Sequence, residues 1–223
     1  MAGTLEPFII PVDGRWTLDD LYRFPRSFEQ LYFALEALLP TEDQADAERI
    51  EYAFRAFPWQ GGYSAVSFYN QLKLATPAQR RPFVSRINYA SPGVFEFYLA
   101  LPIAVHIGSI VTTVAGTIQV CNKVYHSIYA DMRKRELLKI EVERKRMELS
   151  QDDIRFLIEA SDTLTKMMEI GSAHTIHDRT KNPLISLKIL LSVYRRVRTL
   201  AAFKLKGKAN LRSISEMIED GDL

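Results

Sequence analysis

Histidines three residues apart with a carboxylate beside them are the residue set in this chain best suited to chemistry. His174, His177 and Asp178 supply two imidazoles and one carboxylate within five positions. Neutral imidazole nitrogens and a carboxylate oxygen are ordinary ligands for zinc and related ions, and the acid can also orient a ligating ring. A metal-dependent hydrolase is therefore one reading. It needs further ligands, and the remaining histidines, His106 and His126, lie far back in the chain with no HExxH pattern. No Walker A loop, GxGxxG or GxSxG sequence occurs, which removes the commonest nucleotide-binding and serine-hydrolase readings. No catalytic residue and no cofactor is indicated, and the balance leans away from an enzyme.

The second set is cationic. Between Lys181 and Ser215 there are nine Lys or Arg residues and no Asp or Glu. On a helical projection Lys188, Arg195, Arg198 and Lys206 share one face, opposite Leu187, Leu190, Leu191, Tyr194, Val197 and Leu205. A basic amphipathic helix of this kind suits an acidic membrane surface, nucleic-acid phosphates or an acidic protein. Tyr194 and Phe203 are its only aromatic residues, too few to form a platform for stacking bases.

The third set is apolar. From Phe97 to Cys121 there is no formally charged side chain apart from His106 when protonated. Ala104, Gly108, Thr112 and Gly116 recur every fourth residue, a ridge of small side chains along which a second helix can approach closely. A helix over 103–121 is about 28 Å long, barely one hydrocarbon thickness. Its apolar stripe, Ile103, Ile107, Ile110, Val111, Val114, Ile118 and Cys121, largely opposes Ser109, Thr112, Thr113 and Gln119, a division that favours packing against protein over a surround of lipid.

These sets need elements to hold them. With 47% hydrophobic residues in 223, the chain can bury a sizeable core, and a net charge of +2 leaves electrostatic partners to local clusters. Its single cysteine, Cys121, excludes an internal disulfide and favours a reducing compartment. The opening residues lack a basic n-region and a cleavage site, so a cytoplasmic location is expected, extending to the cytoplasmic face of the inner membrane.

Pro7 to Val12 reads as a strand closed by Asp13 and Gly14. Phe83 to Tyr89 and Val94 to Leu101 flank Ala90, Ser91, Pro92 and Gly93 as a hairpin. Thr17 with Asp20, Ser27 with Gln30, Thr41 with Gln44, and Ser150 with Asp153 match capping boxes that start helices, and Pro25 should end the first of them. Asn182 and Pro183 start the last helix, which Gly207 ends. Leu138, Val142 and Leu149 hint at a coiled coil interrupted by Lys145 and Asp152.

The expected fold is α+β and mostly α: a small antiparallel sheet with helices over 1–101, a long helix with an apolar first half and charged second half over 102–149, helices over 150–215, and an acidic tail at 216–223. The expected function is a non-enzymatic interaction or assembly protein, a homo-oligomer self-associating through the small-residue helix and able to reach a membrane. Nucleic-acid binding through the basic helix is the alternative, with the metal-dependent hydrolase behind it.

Overall fold

The computed structural model describes residues 5–39, 44–55, 61–138 and 149–212. It is an α+β protein, mostly helical, with one three-stranded antiparallel sheet in the order β1-β3-β2. The strands are β1 (Glu6–Val12), β2 (Phe83–Asn88) and β3 (Gly93–Leu99). The helices are α1 (Leu18–Glu36), α2 (Gln44–Arg55), α3 (Gly61–Ala75), α4 (Leu101–Gly116), α5 (Ile118–Lys134), α6 (Gln151–Met168), α7 (Ala173–Thr180) and α8 (Pro183–Leu205), with a short 3-10 turn at Ala78–Arg80.

The chain forms two compact units, each assembled from separated segments. The first, Met1–Glu36, Thr76–Ile118 and Arg195–Leu223, holds the sheet, α1, α4 and the second half of α8. Alternation along β1 and β3 turns Phe8, Ile10, Val12, Phe95, Phe97 and Leu99 inward. α1 covers that face: Phe28 stacks on Phe97 at 5.1 Å and Phe24 on Phe95 at 5.7 Å. Trp16 and Phe203 close the cluster, stacked at 5.3 Å. Among the polar groups there, Glu36 meets Arg80, and Arg196 Nε donates to Gln30 Oε1 at 2.8 Å.

The second unit, Ala37–Ala75 and Gln119–Tyr194, is wholly helical in its described part. Its core includes Phe54, Phe68, Tyr69, Leu72, Leu157, Leu164 and the first half of α8. Asn182 caps α8, its Oδ1 accepting from Leu184 N at 2.9 Å, and Ser150 caps α6, accepting from Asp153 N at 3.1 Å.

Two expected breaks fall differently. α1 runs through Pro25 without stopping, so Ser27 and Gln30 lie inside it instead of starting a helix. An interior proline costs about 3 kcal/mol, which the burial of Phe24, Phe28, Leu31, Tyr32 and Leu35, at about 2 kcal/mol each, offsets. Conversely, the continuous helix expected from 102 breaks at Thr117. Gly116 offers little helix propensity, and Thr117 N and Oγ1 both donate to Thr113 O, at 3.2 and 2.8 Å, ending the ladder. Residues 139–148 and the acidic tail lie outside the described residues, as do Val142 and Lys145 of the coiled-coil positions and Thr41.

Candidate interaction surface

The three residue sets read from the sequence land in different settings. His174 Nδ1 lies 2.7 Å from Asp178 Oδ2, one turn along the exposed side of α7. His177 turns the other way: both its ring nitrogens are shut off from solvent with no hydrogen-bond partner among the described residues. Desolvation lowers its pKa, while Asp162 on α6 pulls it back up. Among the described residues no group of three His, Cys, Asp or Glu side chains converges to hold a metal ion.

The cations of α8 are spread over dissimilar environments. From Leu184 to Tyr194 every residue except Lys188 is buried, including Ser186 and Ser192 between the cations. Ser186 Oγ shares a hydrogen bond with Thr180 Oγ1 at 2.6 Å, and Ser192 Oγ donates to Tyr69 Oη at 3.4 Å. Small hydroxyl residues here let both sides of the helix pack, so its first half is a core helix instead of a surface amphipath. Lys188 itself is half-buried, and desolvation pushes its amine down to about 8. Arg195 and Arg198 are half-buried, and of the four positions only Lys206 is exposed. Leu205, expected on the apolar face, is 56% exposed.

The small-residue ridge is taken up by the chain itself over three of its four members. Ala104 is fully buried. A Cβ on Gly108 would stand 1.9 Å from the Arg212 carbonyl oxygen, so only glycine lets residues 211–212 lie on α4 here. Thr112 Oγ1 donates to Leu211 O at 3.3 Å. Gly116 is exposed with open space around it. Among the described residues no single helix is long and apolar enough to cross a membrane; α4 and α5 reach the criterion only as a broken pair.

The structure adds a surface that the sequence reading passed over. All six residues of β2 are exposed. β2 forms one edge of the sheet, pairing with β3 alone among the described residues. Between Val84, opposite Phe97, and Arg86, opposite Glu96, the register slips by one, making Ser85 the extra residue of a β-bulge. Ser85 Oγ donates to Glu96 O at 3.2 Å, and Arg86 Nε sits 3.3 Å from Glu96 Oε2. Cross-strand partners share a face, so Val84 and Ile87 belong to the inner side with Phe97 and Phe95, yet α1 does not reach over them. A groove of about 270 Å³ lies beside Val84, with Pro25, Arg26 and Phe28 of α1 on one side and Phe83, Val84 and Phe97 on the other.

Phe83 and Ile87 are each just over half exposed, at 52% and 53%. The sequence signal was available: two apolar, two polar, one apolar, one polar over 83–88 breaks the period of two that a regular half-buried strand keeps. No protein-family model, curated protein or solved structure matches the chain.

Proposed function

We propose that this chain is a non-enzymatic interaction protein that engages a protein partner through the open edge of β2 and the groove beside it. The observation that carries this is the exposed β2 with its three apolar side chains about half in water, left without a neighbour among the described residues on its outer side. Unpaired strand edges with apolar side chains recruit further strands, and folded proteins ordinarily cover or blunt them. Addition of a strand gives main-chain hydrogen bonds for affinity, while Phe83, Val84 and Ile87 offer side-chain contacts for selectivity.

This reading keeps the assembly role expected from the sequence and moves its seat. The ridge on α4 supports it less, because the backbone of Arg212 already lies against Gly108. Binding of phosphates along α8 also has less support, since only Lys206 of its expected cations is exposed.

A photoreactive residue at Val84 should form a covalent protein adduct in cells, whereas the same residue at exposed Glu159 on α6 should not. Equal background labelling at both positions would sink the proposal.

A further inference from the structure

We infer that the partner at the β2 edge is a second copy of this chain, its own β2 laid antiparallel across a two-fold axis between Ser85 and Arg86. The inference rests on the reading of β2 as the interaction edge. It starts from the bulge. Pairing with β3 places Phe83 on the outer side, Val84 inner, Ser85 and Arg86 together opposite Glu96 on the outer side, Ile87 inner and Asn88 outer. That order reads the same in both directions. Antiparallel self-pairing across an axis perpendicular to the sheet requires such a palindrome, because directly opposed residues must share a face. In this register Val84 meets Ile87 of the second copy twice, Phe83 meets Asn88, and Ser85 meets Arg86.

The bulge also discriminates between partners. A regular strand that matches β2 at Phe83 and Val84 presents the wrong face by Ile87, since the extra residue reverses the alternation. A second copy carries the same extra residue at the matching place. Charge agrees: Arg86 is the only charged residue of β2, it is already paired with Glu96, and the register sets it against serine instead of another arginine.

Closure follows from the other edge. At its C-terminal end β1 is covered outside by the chain's own 208–210 segment, Val12 bridging Ala209, and Pro7 and Pro11 remove amide donors from the same strand, so among the described residues β2 is the edge suited to strand addition and assembly is expected to stop at two. The exposed parts of Phe83, Val84, Ile87 and Tyr89 amount to roughly 400 Å² per copy, about 800 Å² for the pair, which is below the standard size of a specific interface and suits a weak, reversible dimer.

Sedimentation of the full chain from about 1 to about 100 μM should show mass rising from one copy to two and no further. Ile87→Lys should raise the dissociation constant at least tenfold. Ser85→Cys should give a disulfide-linked dimer on oxidation, because the two Cα atoms across the axis come within about 6 Å. Val84→Cys should not, its two copies lying about 11 Å apart across the axis. Cys121 is buried and stays out of the assay. Single-copy mass throughout, with no Ser85→Cys dimer, overturns the inference, and so does growth beyond two copies. If that happens while the Val84 probe labels a different protein, the interaction reading stands and only the second copy is lost; absence of any Val84 adduct removes both. Should Ile87→Lys fail to fold, the cysteine pair still decides.

Discussion

The two edges of the sheet belong to one small structure yet are finished in opposite ways. Along β1, Val12 bridges Ala209, Asp13 N donates to Lys208 O at 3.0 Å, and Asn210 N donates to Pro11 O at 2.9 Å. Pro7 and Pro11 remove two amide donors from that strand, and Lys208 Nζ holds the covering segment to Asp20 at 2.7 Å. Along β2 none of these devices is present among the described residues; it has a bulge, one arginine and three exposed apolar side chains. A bulge with a charge blunts an edge against arbitrary strands without covering its apolar surface. The contrast separates an edge covered at its end and stripped of donors from one restricted in what it can accept.

That contrast can be broken most severely at Gly108. Gly108→Leu forces residues 211–212 off α4, and the lost fit should cost about 3 kcal/mol in denaturant unfolding. It should also loosen the cover of β1, so that sedimentation shows species larger than two copies. A stability unchanged from that of the parent chain would mean that residues 208–212 are not what finishes β1.

Lys208→Ala is a gentler version, expected to cost about 1 kcal/mol because its ion pair with Asp20 is largely shielded. The same pair sets an acid dependence. Hydrogen bonding from Lys208 and from Thr17 lowers the Asp20 carboxyl from 3.8 to about 2. A carboxyl that is more acidic in the folded state stabilises the fold fully above 3.8, and that contribution disappears as pH falls through about 2. Unfolding midpoints measured between pH 5 and pH 2 (the window spanned by this pair) should therefore fall more steeply for the parent chain than for Asp20→Asn. Parallel curves would remove Lys208 from the closure of β1. Smallest of all, Ile87→Thr should leave the stability of the single chain within about 0.5 kcal/mol, since its side chain is already half in water. A larger loss would mean that the β2 edge is buried against the chain itself.

Much of this architecture is legible in the residues. The strands expected at 7–12, 83–89 and 94–101 are found at 6–12, 83–88 and 93–99, because short β-branched and aromatic runs beside Pro and Gly leave few alternatives. Gly93 shows why the hairpin closes there: a Cβ would lie 2.4 Å from Asn88 O. The Thr17–Asp20 and Ser150–Asp153 boxes form as spaced, since capping is settled within one turn. What stayed hidden is tertiary. Pro25 survives inside α1 through the aromatic residues it packs among, and the cations of α8 do not show that Ser186 and Ser192 have partners in Thr180 and Tyr69. The exposure of Val84 and Ile87 depends on how far α1 reaches across the sheet, a distance that no local pattern encodes.

Val12 and Ala209 stand at opposite ends of the described chain, and this fixes an order of events during synthesis. β1 can meet β3 as soon as the hairpin has emerged, but the segment that finishes β1 arrives on the order of ten seconds later at ordinary rates of elongation. Until then the nascent sheet carries two bare edges, and Trp16 lacks Phe203 to stack on. The interval before residues 195–212 appear is thus the period of greatest exposure to wrong strand pairing, and a ribosome stalled there would hold the protein in its most adhesive form.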